Sequence, residues 1–346
     1  MIAPTEPSAA PPAPETPARG GVRWRWIVGV VVSVFFLWVA FRQVSDVGHV
    51  ADALGRANYL WLIPAVALYV ADLLVRTLRW RILMLPIAPL PFRSLFGVLS
   101  IGFLVNNVLP ARLGEIARAV LVGRRHGVSR SAALATVVVE RIFDGIVMLL
   151  VLGVAVSVAG SRVASDWVGV LVPITGVAFG GAALVLIVLA LAPGPTLGVA
   201  ARLMAPIPPR LRDAALGAAE KFISGLGVLN DVKLAAGALL TSIVAWLLEA
   251  GVYLIVGQAF GLPGDPSAYL LALAIANLGT MIPSSPGYVG TFDALVQRAL
   301  AIFAVPDALA LAYAFVLHLA IWLPPTLIGF YFLWRYNLSL SRVTRE

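Results

Sequence analysis

Apolar runs alternate with short basic segments along the whole chain, and six of the runs read as helical membrane crossings: Trp26 to Phe41, Tyr59 to Val75, Ala132 to Ala159, Trp167 to Leu191, Leu234 to Val256 and Ala308 to Trp334. A helix needs roughly 20 apolar residues to cross ~30 Å of hydrocarbon. Two further apolar stretches, residues 94 to 123 and 267 to 302, are interrupted near their middles by Asn, Pro and Gly. Each is either two short crossings or one re-entrant hairpin. Residues 111 to 123 make only about 20 Å of helix at 1.5 Å per residue, which favours the hairpins. The pattern therefore predicts an all-α polytopic membrane protein with about six transmembrane helices and two re-entrant hairpins.

Composition sharpens this at the ends of the chain. Residues 1–21 hold six prolines and five alanines with no apolar periodicity, and are expected to be a disordered tail. The membrane unit is expected over 22–337, followed by a basic cytoplasmic tail at 338–346. The segment 195–233 mixes Arg202, Arg210, Arg212, Lys221 and Lys233 with apolar residues, as a cytoplasmic amphipathic helix on anionic lipid or a plain connecting loop would. Overall, 60% of residues are hydrophobic and 12% charged, against about 25% charged in a soluble domain.

The net charge of +8 is explained most simply by topology, so no nucleic-acid partner is expected. Cytoplasmic loops are enriched in Lys and Arg, and with two hairpins most of the 25 basic residues fall on one side together with both termini. Arg76, Arg79 and Arg81 belong to that set as topology signals. The chain has no cysteine, and its three histidines, His49, His126 and His318, lack metal-site spacing. Neither a metal nor a cofactor is expected, and His318 reads as a hydrogen-bonded bundle residue.

The two interrupted stretches share a pattern, Pro110-Ala-Arg-Leu-Gly114 and Pro283-Ser-Ser-Pro-Gly287, each with Asn upstream. In the sidedness above, the halves (about 22–160 and 166–337) each contain three crossings with a hairpin before the third. One hairpin enters from inside and the other from outside, which is an inverted repeat. Such repeats build secondary transporters whose broken helices meet near the midplane. The helix starts after Pro110 and Pro286 would offer free N–H groups to an anion. The alternative is that Pro and Gly merely kink ordinary spans.

Ionisable residues at membrane depth are expensive and mark function by default. Glu140, Arg141 and Asp144 lie early in one span, where a structural pairing between helices is an equal reading. Arg112, Glu115 and Arg118 fall three apart on one face if that arm is helical, and the two arginines beside a helix start suit a phosphate. Asp72 with Arg76 reads as an interfacial pair at a helix end. Glu249, with no sequence-local basic partner, is the candidate proton or cation carrier.

The run Asn106-Asn-Val-Leu-Pro-Ala-Arg-Leu-Gly-Glu-Ile-Ala-Arg118, the pair Glu140-Arg141 with Asp144, the Arg76-x2-Arg79-Trp80 segment and Pro283-Ser-Ser-Pro-Gly287 with Gly290 resemble the flippase-like membrane domain of lysylphosphatidylglycerol synthases, and its stand-alone relatives more closely. The resemblance covers roughly residues 25 to 336. It implies movement between leaflets of a lipid with an anionic or zwitterionic phosphate head group, such as an aminoacylated or polyprenyl-phosphate lipid, in the cell's cytoplasmic membrane. With a short tail after the last span, the soluble aminoacyl-transfer domain is expected to be absent, and the protein is expected not to be an enzyme. The rival readings are a membrane enzyme using Glu140 and Asp144 as acid and base, and a non-transporting subunit of a lipid or polymer synthesis complex. A homo-oligomer or association with a lipid-modifying enzyme fits either. Residue chemistry and resemblance together nominate Asn107, Pro110, Arg112, Gly114, Glu115, Arg118, Glu140, Arg141, Asp144, Pro283, Ser284, Ser285, Gly287 and Gly290 for substrate binding, and Glu249 for coupling.

Overall fold

The computed structural model describes residues 20–44, 46–109, 112–163, 166–262, 264–280 and 286–338. Among the described residues the chain is all-α: α1 Gly20–Arg42, α2 Val47–Arg56, α3 Leu62–Met84, α4 Phe92–Val108, α5 Leu113–His126, α6 Arg130–Ala159, α7 Asp166–Leu191, α8 Pro193–Leu203, α9 Pro209–Gly225, α10 Val232–Ala259, α11 Pro266–Gly279, α12 Thr291–Ala301 and α13 Asp307–Arg335. Five of the expected crossings, α3, α6, α7, α10 and α13, contain stretches long and apolar enough to span. The sixth, α1, ends at a break where the chain turns by 87° into α2.

Local sequence explains the element ends. Asp231 caps α10 by accepting from the Lys233 and Leu234 amides, and Asp265 with Pro266 opens α11 in the same way. Gly127, at φ 68°, closes α5 in the left-handed conformation that costs glycine least. The basic connector expected as one amphipathic segment is two helices, because prolines 206, 208 and 209 stop α8 and start α9. Arg202, Arg210, Lys221 and Lys233 are exposed there, while Gly225 lets α9 close on the α6 backbone at Ala132.

The two interrupted stretches fold as helix pairs that pack on themselves, α4 on α5 and α11 on α12. Their helices of 17, 14, 14 and 11 residues are about 26, 21, 21 and 17 Å long, short of the hydrocarbon thickness. The first tip meets α13 at Trp322 and Thr326, near the middle of that 29-residue helix, so it stops at mid-depth.

A two-fold pattern organises the bundle. Exchanging α3 with α10, α4 with α11, α5 with α12 and α6 with α13 leaves the set of neighbours unchanged: α4 packs on α13 as α11 packs on α6, and α5 on α6 as α12 on α13. The central pair, α3 and α10, is antiparallel, since the Asn58 amide donates to the Ala259 carbonyl at one end and Ile82 lies against Gly237 at the other. Equivalent helices running in opposite directions about one axis are what an inverted repeat requires.

Lipid tails give helices no hydrophobic reason to associate, so close packing of small residues must do it. In the first hairpin Gly102 and Gly114 face each other so closely that a methyl on either would strike the other helix. Gly329 of α13 sits likewise on the Ser100 carbonyl of α4. By contrast α7 presents Ile174, Val177, Leu184 and Leu191 outward, as a lipid-facing helix does.

Candidate functional site

Eight charged side chains, from α3, α5, α6 and α10, meet in one buried cluster that the sequence alone offered only as separate local groups. The expected end of the second span at Val75 is corrected here: α3 continues to Met84, and Asp72, Arg76 and Arg79 are buried at its middle. They are neither an interfacial pair nor topology signals, because each guanidinium finds carboxylates on other helices. The Arg76 Nε donates to Asp72 (2.7 Å), and its Nη2 to Glu249 Oε2 of α10 (2.6 Å). Arg79 donates to Asp144, to Ser242 Oγ (3.0 Å) and toward Glu140 Oε1 (3.0 Å).

Arg118 of α5 grips Glu140 with both terminal nitrogens, at 3.0 and 2.8 Å, and stacks over Trp80. Arg141 reaches Glu140 (2.6 Å) and Asp144 (3.2 Å), and Trp246 Nε1 donates to Asp144 (2.9 Å). Glu140 and Asp144 are 1% and 5% exposed, with their oxygens occupied by guanidinium and indole donors. The carboxylates are thus sealed counter-charges. A buried pair of this kind gains little over an apolar core when intact and costs several kcal/mol when one partner is removed.

In front of this cluster lies a cavity of about 150 Å³ between the two hairpins. Arg76, Glu115, Arg141, Trp246 and Glu249 form its back, Asn106, Asn107 and Arg112 come from the first hairpin, and Asn277, Thr280, Gly287 and Tyr288 from the second. His318 and Trp322 of α13 close it. The tips are tied across the cavity: Arg112 Nε donates to the Tyr288 hydroxyl (3.0 Å) and its Nη2 to the Thr280 carbonyl (3.1 Å) and hydroxyl (3.2 Å). Asn107 donates to Thr326 Oγ1 (2.8 Å) and the Trp322 carbonyl (3.2 Å).

Arg112 differs from the expectation in a way that matters. It precedes α5 with φ 51°, a left-handed conformation uncommon for a non-glycine residue. It is therefore off the helical face shared by Glu115 and Arg118, and points at the second hairpin. The expected fork of Arg112 with Arg118 does not form, since Arg118 is spent on Glu140. Among the described residues Arg112 is the one guanidinium lining the cavity with no carboxylate partner, while Arg76 and Arg141 are each paired.

The other nominated residues divide. Asn107, Glu115, Arg141, Gly287 and Glu249 line the cavity, whereas Arg118, Glu140 and Asp144 stand behind it. Gly114 serves the close α4–α5 crossing, and its amide is capped by Asn106 Oδ1 (2.7 Å), so that N–H is already taken. Gly290 is turned away: it caps α12, donates to Asp293 (2.8 Å), and a side chain there would strike α1 at Ser33 and Leu37. At the second helix start the Gly290 amide is thus already taken. Pro110, Pro283, Ser284 and Ser285 lie outside the described residues. Sequence reading missed Trp246, Asn277, Thr280, Tyr288, His318 and Trp322 as cavity lining; the Asn upstream of each Pro-Gly segment was the one signal for any of them.

The sequence model of a family described as "Lysylphosphatidylglycerol synthase TM region" matches residues 26–329. The chain is 26% identical to a protein named glycosyltransferase AglD from Haloferax volcanii, over 84% of this chain and 51% of that one, so it spans about half that relative's length. Two UPF0104 membrane proteins of Methanothermobacter thermautotrophicus are 28% and 26% identical, over 77% and 83% of this chain and 82% and 85% of theirs. No solved structure matches.

Proposed function

The chain belongs to the family of the lysylphosphatidylglycerol synthase transmembrane region, and from that premise we propose that it is a lipid translocase of the cell membrane. Its substrate would be a lipid with a phosphate-bearing head group. The observation that carries the reading is Arg112, a guanidinium without a counter-charge held at mid-depth where two hairpin tips meet. A lone cation in such a place attracts an anion, and guanidinium binds phosphate through parallel N–H groups. The amides of Asn106, Asn107 and Asn277 and the paired face of Arg141 supply further polar partners, while acyl tails stay in lipid. No covalent step is needed. Against the enzyme reading, Glu140 and Asp144 are both closed by guanidinium groups, leaving neither free to move a proton on a substrate.

The test is leaflet exchange of labelled phospholipids in vesicles carrying the purified protein. Exchange above protein-free vesicles is expected, reduced to background by Arg112→Ala and partly kept by Arg112→Lys. Unchanged exchange in Arg112→Ala would remove the site, and no exchange by the wild type would favour a non-transporting subunit.

A further inference from the structure

His318 is placed between two acceptors. Its Nδ1 is 3.0 Å from Asp293 Oδ1 and its Nε2 is 2.7 Å from the Gly287 carbonyl oxygen. A neutral imidazole carries one N–H, so with Asp293 as a carboxylate both contacts are hydrogen bonds only when the ring is protonated. The geometry is built around that state: the ring rests on Phe292 with centroids 4.7 Å apart, and the other Asp293 oxygen accepts the Gly290 amide at 2.8 Å. One proton therefore ties α13 both to the start of α12 and to the turn at Gly287. The next residue, Tyr288, holds the Arg112 side chain through its hydroxyl.

Resting on the translocase reading, we propose that His318 with Asp293 is a proton-binding site that latches the second hairpin tip. The proton exchanges with water reaching the cavity, to which the side chain is 13% exposed. With the proton on, Gly287 and Tyr288 are held and Arg112 is presented to the cavity. With it off, the remaining N–H stays with the Asp293 carboxylate, the tie to the Gly287 carbonyl is lost and the tip is free to leave Arg112. The charged and titratable groups facing the ring are Asp293 of α12 and Tyr288 of the turn, and across the cavity Tyr69 and Arg76 of α3, Arg112, Glu115 of α5, Arg141 of α6 and Glu249 of α10. Glu249, the carrier expected from sequence, is held against Arg76 at 2.6 Å.

Nitrogen NMR of histidine-labelled protein in nanodiscs tests this, with the His318 signals identified by their loss in His318→Gln. Both ring nitrogens should be protonated at the acid end of a titration between about pH 5 and 9, giving up one proton as pH rises. Asp293→Asn should lower the midpoint, because it removes the carboxylate that favours the imidazolium. Thiol labelling of Val289→Cys should rise with pH in the wild-type background and become pH-independent when His318→Gln is added. A single neutral tautomer throughout, a midpoint unmoved by Asp293→Asn, or labelling that ignores pH would each overturn the proposal. These readouts involve no lipid movement, so a titrating latch in a protein that moves no lipid would count against the translocase reading alone.

Discussion

Arg112 and Arg118 are six residues apart in sequence and occupy opposite kinds of environment. Arg118 is 4% exposed, bidentate on Glu140 and stacked on Trp80. Arg112 leaves the helix at a positive φ, crosses to the other hairpin and meets neutral oxygens only. The contrast separates charge that holds a membrane bundle together from charge left available to a ligand. Charge type and spacing are equal for the two; what distinguishes them is whether another helix brings a carboxylate.

The largest effect should come from opening the sealed side. Glu140→Ala would leave Arg79, Arg118 and Arg141 short of a counter-charge, at a cost of ~3 to 5 kcal/mol, seen as a collapse in thermal stability and in folded yield. A variant melting like wild type would break the distinction. On the open side Arg112→Gly is the sharper tool, since glycine accepts the left-handed backbone and offsets part of the lost hydrogen bonding. Stability within about 1 to 2 kcal/mol of wild type is expected, with loss of leaflet exchange. Asn107→Ala, which loosens the first tip from Thr326 without touching charge, should slow exchange less than Arg112→Gly does.

The smallest effect lies far from both regions, at Asp265. Its carboxyl is held below the usual range by the Ser267 hydroxyl and amide, with Arg162 adding to this. A depressed carboxyl contributes stability above its unfolded pKa and loses it as pH falls through the folded one. Asp265→Ala should therefore cost about 1 kcal/mol at neutral pH as a lost helix cap, an increment that shrinks on acidification. A cost that grew at acid pH would show a different role.

Much of the architecture was legible in sequence because lipid imposes few solutions: apolar length gave the spans, and Asn, Pro and Gly inside apolar stretches gave the hairpins. The limits of α3 were not. Asp72, Arg76 and Arg79 look like the basic end of a span, and only their partners Glu249, Glu140 and Asp144, brought from α10 and α6, reveal them as buried. The site was half legible. The Asn106-to-Arg118 run pointed to the right hairpin, yet helical periodicity extended through Arg112 put two arginines on one face when the backbone turns between them. Gly290 is nominated for substrate binding by its place in the second Pro-Gly segment, although its missing side chain makes room for α1. Residues on α13, such as His318 and Trp322, carry no local mark because an apolar helix looks alike on its cavity and lipid faces.

The most direct measurement of the central claim is lipid occupancy of the purified protein, read by native mass spectrometry after extensive detergent washing, for the wild type, Arg112→Gly and the surface control Arg210→Ala. The wild type and Arg210→Ala should retain a phosphate-bearing lipid that Arg112→Gly loses while staying folded. Equal retention by all three would contradict a phosphate site at Arg112.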